Sequence, residues 1–118
     1  MTKRRAKKLA VMIWKRLVEM SKREKGFSFL SIYAAKRCVA VQLNSEKKIS
    51  DRELNELCNF SFCPLCAYFY KKKIIYTSCF GCPLGSCGEG SLFSSAETGD
   101  TESLENVLRR IERWRVLL

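Results

Sequence analysis

The sequence predicts an α+β fold, mostly α, in which helices surround a short β-hairpin rooted on cysteines. Three observations lead to this class. Apolar residues recur at helical spacing near both ends of the chain, a helix-capping sequence stands near residue 50, and two segments rich in β-forming residues lie between two pairs of cysteines. With 118 residues, of which 47% are hydrophobic, residues 1–118 are expected to form one small domain with a modest core.

The N-terminal segment 1–26 is predicted to be a basic amphipathic helix, regular over residues 6–25. At 100° per residue, one arc is apolar and the other is basic. The apolar arc holds Leu9, Ala10, Ile13, Trp14, Leu17, Val18 and Met20. The basic arc holds Lys8, Lys15, Arg16, Lys22 and Arg23. Gly26 is placed to end the helix, because glycine readily adopts the left-handed conformation that closes many helices.

The segment 27–43 is compatible with two structures. Its apolar residues fit a helix, which we favour, although Phe27, Phe29 and residues 39–43 also suit strands. The residues at helical spacing are Leu30, Tyr33, Ala34, Cys38 and Val41. Cys38 is expected to lie in the core as a small apolar side chain.

Two further helices are predicted from capping and charge signals. Ser50 and Glu53 have the spacing of a capping box, at the start of a short helix that leads to Cys63. After a small and polar stretch that begins at residue 88, apolar residues return at helical spacing and predict a helix over 101–118. Its acidic start and basic end suit the helix dipole.

Seven cysteines and no histidine narrow the possible chemistry. An odd number of thiols argues against a fully paired disulfide framework, and closely spaced thiols in a reducing compartment usually bind metal. The absence of histidine excludes catalytic triads and acid–base chemistry that depend on it.

The most informative motif is a pair of CxxC sequences. Cys63 and Cys66 are followed, after twelve residues, by Cys79 and Cys82, and Cys87 comes shortly afterwards. Two sulfurs from one tight turn can bind one ion at about 2.3 Å, so two such turns complete a tetrahedron. We therefore predict one structural Zn²⁺ bound by Cys63, Cys66, Cys79 and Cys82, with Cys87 able to replace Cys79 or Cys82. A closed set of thiolates leaves no open position for a substrate, so we predict that the protein is not an enzyme.

Residues 50–90 are predicted to form this zinc-binding module around a β-hairpin. Its arms are residues 67–70 and 74–77, which are rich in β-forming side chains. Three lysines, residues 71–73, stand between the arms, where a hairpin turns. The arrangement is the plan of a zinc ribbon.

Two other uses of the cysteines are compatible with the sequence. An iron–sulfur cluster is suggested by the Cys-Pro pairs, but the ferredoxin spacing Cys-x₂-Cys-x₂-Cys-x₃-Cys-Pro is missing. Disulfides or redox-active thiols are the other alternative.

The sequence contains the run CPLC, then an insert, then CxxCPL and a further cysteine, and a predicted amphipathic helix follows them. This pattern resembles that of small cysteine-rich zinc-binding proteins of tailed phages and prophages. The resemblance covers about residues 50–118. It implies a small domain held by zinc, with Cys63, Cys66, Cys79, Cys82 and Cys87 at the positions of the family's cysteines, and no established general activity. The long insert between the CxxC pairs and the basic N-terminal helix depart from the family pattern.

The charge distribution predicts a polyanionic partner. The net charge is +10, and residues 1–25 hold ten of the 22 basic residues but only two acidic ones. We predict that nucleic-acid phosphates are bound by Lys8, Lys15, Arg16, Lys22, Arg23, Lys71, Lys72 and Lys73. The plainer interpretation is a solvated basic surface that keeps the protein soluble.

A protein partner is the alternative prediction. The module would present a basic or aromatic face to an acidic surface of a host protein and would inhibit or modulate that protein, as viral anti-defence proteins do. The aromatic side chains are also explained by ordinary core packing.

No membrane partner is expected. The basic start and the apolar stretch from Leu9 to Trp14 resemble a signal peptide, but Lys15 interrupts the stretch, and no segment has the ~18 apolar residues of a membrane helix. We predict a protein of the cytoplasm, which is the host cell interior if the chain is viral.

Overall fold

The computed structural model describes residues 2–24, 32–60, 62–72 and 101–114. They form five helices: α1 (Lys3–Glu24), α2 (Ile32–Ser45), α3 (Asp51–Cys58), α4 (Pro64–Lys72) and α5 (Thr101–Arg113). No strand occurs within these four ranges.

The predicted α+β class is therefore wrong for the part of the chain that the structure describes. Residues 67–70, the first arm of the expected hairpin, lie inside α4. Pro64 is well suited to the first position of a helix, and Leu65 and Ala67 are buried in the common core. Packing on neighbouring helices thus outweighs the β-propensity of the Tyr and Phe residues in this segment. The second arm, residues 74–77, lies outside the described residues.

Helix α1 is the centre of the fold, and its prediction is confirmed. Its most extensive contacts are with α5, followed by α4 and α2. Contact with three helices explains why the apolar arc is broad. Its buried residues are Ala6, Leu9, Ala10, Ile13, Trp14, Leu17, Val18, Met20 and Ser21. Gly26 lies outside the described residues.

The two ends of α5 are tied to opposite ends of α1, so the helices are antiparallel. Near the start of α5, the hydroxyl oxygens of Thr101 and Ser21 lie 2.7 Å apart. Near its end, the Lys7 ammonium donates to the carbonyl oxygens of Glu112 at 3.0 Å and Trp114 at 2.6 Å. A cation at this end also interacts favourably with the helix dipole. The predicted C-terminal helix is confirmed over Thr101–Arg113.

Helix α2 confirms the helical alternative for residues 32–43, but the prediction for Cys38 is wrong. The Cys38 side chain is exposed. The buried face of α2 consists of Ile32, Ala35, Lys36, Val39, Ala40 and Leu43. At 100° per residue, position 38 falls on the opposite side of the helix from this face, so Cys38 points away from the core. The buried face contains a charged residue instead, Lys36.

The capping box at the start of α3 is confirmed. The Glu53 amide donates to the Ser50 hydroxyl at 3.1 Å, and the Ser50 amide donates to the Glu53 carboxylate at 3.0 Å. Arg5 of α1 binds the same carboxylate through two nitrogens, at 2.7 and 3.0 Å, and donates to the Lys48 carbonyl at 2.9 Å. Arg5 therefore connects the first turn of α3 to α1.

We expect the Arg5–Glu53 pair to make stability depend on pH. The Arg5 hydrogen bond, only partly opposed by burial, lowers the pKa of Glu53 to about 2. This contribution is complete above the unfolded-state pKa, about 4.3, and is lost as pH falls toward 2. Glu53→Gln keeps a capping side chain but removes the charge. At pH 7 we expect it to lower the free energy of unfolding by about 1 kcal/mol.

Urea denaturation of both proteins between pH 7 and pH 3 measures this effect. The difference between wild type and Glu53→Gln should shrink as the pH approaches 3, because below its ordinary pKa the Glu53 carboxylate of the unfolded chain takes up a proton that the native carboxylate does not bind. A difference that stays constant over this range would contradict the role given to the Glu53 charge.

Candidate functional site

Cys63 and Cys66 stand together at the start of α4. Cys63 precedes the first residue of the helix, and its carbonyl accepts the helical hydrogen bond from the Ala67 amide at 3.1 Å. The Cys63 amide donates to the Phe60 carbonyl at 3.0 Å. Cys63 is 4% exposed and Cys66 is half-buried. One helix start thus holds both thiols of the first CxxC sequence, one inside the core and one at its edge.

A left-handed residue turns the chain from α3 into this site. Phe62 has φ 58°, an uncommon conformation for a bulky side chain. Its amide donates to the Leu57 carbonyl at 2.8 Å, and its buried ring meets the edge of Tyr33 at a centroid distance of 5.5 Å. These contacts hold the turn, and the turn determines the direction in which Cys63 enters the core.

The surroundings of Cys63 favour the thiolate. The largest effect is a hydrogen bond from the Cys66 side chain, and burial opposes it. The positive charge of Lys36 and the backbone amides of Cys66 and Leu65 also stabilise the anion. Together they lower the pKa of Cys63 below that of an ordinary thiol.

Lys36 is the residue of this site that sequence reasoning missed. It projects from the buried face of α2 and is 2% exposed. A signal was present in the sequence, since Lys36 shares one helical arc with Ile32, Val39 and Leu43. A charged residue inside an apolar arc indicates a buried charge with a specific role.

The two thiols described at this site are donors of the type that zinc binds. A thiolate at the start of a helix, with neighbouring amides directed at sulfur, is the form in which cysteine binds the ion. Burial of Cys63 suits ligation better than attack on a substrate, since reactive cysteines are partly exposed. Cys79, Cys82 and Cys87 lie outside the described residues. Within the described ranges, no three His, Cys, Asp or Glu side chains are grouped closely enough to hold a metal.

The basic residues of α1 that are predicted to bind nucleic acid divide into two groups. Lys8, Lys15 and Arg23 are exposed, and no carboxylate of the described residues forms an ion pair with them. Arg16 and Lys22 do have acidic partners. Lys71 and Lys72 form the last turn of α4, and Lys73 lies outside the described residues.

Arg16 is the more firmly paired of the two. Its guanidinium binds Glu46 through two nitrogens at 2.5 and 2.6 Å, and this hydrogen bond lowers the pKa of Glu46 to about 2. Lys22 lies 3.5 Å from Glu105 and remains largely exposed. Arg16 is therefore engaged within the fold, whereas Lys22 can still meet a partner.

No helix in the described part of the chain is both long enough and apolar enough to span a bilayer. Comparison of the chain with protein-family models, with curated proteins and with solved structures gives no significant match. The resemblance to cysteine-rich phage proteins accordingly stays a prediction from the motif.

Proposed function

We propose that this protein is a small, zinc-stabilised basic protein that binds nucleic acid through the exposed side of α1. The observation that carries the proposal is a row of cations on that side, formed by Arg4, Lys8, Lys15 and Lys22. The first three have no acidic partner among the described residues, and all four are exposed. A viral origin and a place inside the host cell are part of the same proposal and rest on the resemblance alone.

The spacing of the row suits a phosphate backbone. Lys8, Lys15 and Lys22 recur every seven residues, which places them on nearly one line with about 10.5 Å between neighbours. The opposite side of α1 is packed against α5, α4 and α2, so the row stands on a rigid helix. Clustered cations on a rigid element gain affinity by releasing the counterions of a polyanion.

In this proposal zinc has a structural role. Cys63 and Cys66 supply two ligands, Cys79 and Cys82 supply the others, and Cys87 is the alternative to either of the last two. The buried, amide-supported thiolate of Cys63 supports this assignment. The bound ion would hold the C-terminal part of this cysteine-rich region against the helical core, and the site would catalyse no reaction.

The triple exchange Lys8→Ala, Lys15→Ala and Lys22→Ala tests the nucleic-acid surface. We expect it to weaken binding of mixed-sequence single-stranded and duplex oligonucleotides at low salt by more than tenfold. The slope of log affinity against log salt should become shallower by about one for each lysine that contacts a phosphate. Fluorescence anisotropy over a salt series measures both quantities.

The matched control removes three exposed arginines elsewhere: Arg37→Ala, Arg52→Ala and Arg113→Ala. Both triple variants lose the same net charge. If a specific surface binds nucleic acid, the lysine variant should lose much more affinity for the oligonucleotides than the arginine variant. Equal effects would indicate attraction to overall charge alone, and no binding by the wild type at low salt would exclude the nucleic-acid proposal.

A protein partner remains the second candidate because α2 has an exposed face with apolar side chains. Tyr33 and Val41 are 46% and 47% exposed, and Arg37 lies between them on the same side. A tagged wild type and a Val41→Ser variant, which leaves the Tyr33–Phe62 ring contact in place, can be compared in pull-downs after nuclease treatment. A partner retained by the wild type and lost by the variant would favour this candidate over nucleic acid.

A further inference from the structure

A cleft of about 260 Å³ opens between α1 and the end of α2. Its floor is apolar, because Leu43 of α2 is only 1% exposed and Met12 of α1 is half-buried against the same core. Polar side chains form the walls. The complete lining consists of Met12, Lys15, Arg16, Glu19, Leu43 and Lys48.

The walls of this cleft are held in place by bonds between α1 and the turn after α2. The guanidinium of Arg16 donates to both carboxylate oxygens of Glu46, at 2.5 and 2.6 Å. Such a two-point bond fixes the plane of the guanidinium. The turn itself is closed by the Lys48 amide, which donates to the Leu43 carbonyl at 2.9 Å. The cleft is therefore preorganised, which lowers the entropy cost of binding a ligand there.

The charges around the cleft nearly balance. The Glu46 carboxylate pairs with Arg16 and also lies 3.3 Å from the Lys48 ammonium. Glu19 adds a second carboxylate to the lining and would repel a phosphate inside the cleft. An apolar floor with a few polar groups around it suits a neutral, partly apolar molecule. A nucleobase has this character, with apolar faces and polar edges.

The cleft adjoins the row of cations on α1. Lys15 is the middle lysine of that row and also lines the cleft, so a phosphate bound at Lys15 brings its own nucleotide next to the opening. Arg16 is 26% exposed and can offer the face of its guanidinium to a base, a contact that is common in RNA recognition. The thioether of Met12 also makes favourable contacts with aromatic rings.

We propose that this cleft receives one unstacked base of a single-stranded nucleic acid whose phosphates lie along the lysine row. The inference rests on the proposed function and narrows its ligand, because the bases of an intact duplex are paired and stacked and cannot enter the cleft. Arg16 and Met12 contact the base, whereas Lys8, Lys15 and Lys22 contact the phosphates.

An abasic strand is the probe that separates base binding from phosphate binding. It has the length and the phosphates of an ordinary single strand but no bases. The affinity of the full-length protein for both strands and for a duplex is measured by fluorescence anisotropy at low salt. We expect the wild type to bind the ordinary strand at least about fivefold more tightly than the abasic strand.

Two single exchanges then test the cleft. Arg16→Lys keeps the positive charge but removes the flat guanidinium, and Met12→Ala removes the thioether. Each should weaken binding of the ordinary strand by at least about threefold and change binding of the abasic strand much less. The controls are Arg37→Lys, an exposed site on α2, and Val11→Ala, the half-buried neighbour of Met12 outside the lining. Both should leave the preference for the ordinary strand unchanged.

The melting temperature of each variant shows whether it is folded. If Met12→Ala does not fold, Arg16→Lys alone gives the result, because the Arg16 side chain is partly exposed and its charge is kept. Equal wild-type affinity for the ordinary and abasic strands would overturn the inference and leave the proposed function in place. Failure to bind either strand or the duplex would exclude both.

A preference for the ordinary strand that persists in Arg16→Lys and Met12→Ala would also overturn the inference, since the base would then bind elsewhere. A third result would assign the cleft to a protein. In that case the two variants would keep the affinity for the ordinary strand but lose a partner that the wild type retains after nuclease treatment.

Discussion

Replacing Cys63 by serine is expected to abolish tight zinc binding and to remove most of the stability that zinc provides. The exchange deletes the buried thiol at the start of α4 and leaves the proposed zinc centre with three ligands. Zinc contributes about 10–16 kcal/mol in zinc-finger peptides, so loss of a ligand has a large effect on folding as well as on binding. Zinc content after gel filtration and the melting temperature, each with and without chelator, measure the result.

The exposed cysteines among the described residues are the controls. Cys38 and Cys58 have exposed side chains and lie outside the CxxC sequences. Their exchange for serine is expected to leave zinc content unchanged and to alter stability by at most about 0.5 kcal/mol. A Cys63→Ser protein that keeps zinc and melts like Cys38→Ser would contradict the assignment of Cys63 as a ligand.

Replacing Trp14 by alanine is expected to lower the free energy of unfolding by about 3–5 kcal/mol. Trp14 is fully buried on α1, the helix against which α5, α4 and α2 pack, and a cavity there affects several contacts at once. For a small domain with a total stability of about 5–15 kcal/mol, this is a large fraction. Urea denaturation in the presence of zinc measures the change.

Lys15→Ala is the control for Trp14→Ala. Lys15 is the next residue, but it is exposed, and its exchange should alter stability by at most about 0.5 kcal/mol. A loss below about 1 kcal/mol for Trp14→Ala would contradict the central packing of α1.

The helices that were predicted best from the sequence are those in which neighbouring residues indicate one structure without ambiguity. In α1 a long apolar arc faces a basic one, and in α3 the Ser50 and Glu53 side chains identify the first turn. Such signals depend on side chains within a few residues of each other, which is why they can be interpreted without the tertiary structure.

The hairpin prediction failed because it relied on propensity in a short segment. The aromatic residues at 68–70 favour strands on average, but the preceding Cys-Pro pair begins a helix whose Leu65 and Ala67 are buried against the core. The error at Cys38 has a related cause. Apolar residues occur on both sides of α2, as exposed Tyr33 and Val41 demonstrate, so the sequence pattern did not reveal which side is buried.

The candidate site was predictable only in part. The CxxC spacing is local, and it correctly indicated that Cys63 and Cys66 stand together at one turn. Lys36 approaches that turn from another helix, and the acidic partner of Arg16, Glu46, is thirty residues away. Contacts of this kind depend on how the helices pack, and the spacing of residues along a single sequence does not specify that packing.

The zinc content of wild-type protein, purified without chelators and measured by inductively coupled plasma mass spectrometry, tests the thiolate centre most directly. We predict about one zinc ion per chain, negligible iron, and loss of cooperative unfolding when a chelator removes the ion. Less than about a tenth of an equivalent of metal, in a protein that stays folded in chelator, would contradict the account.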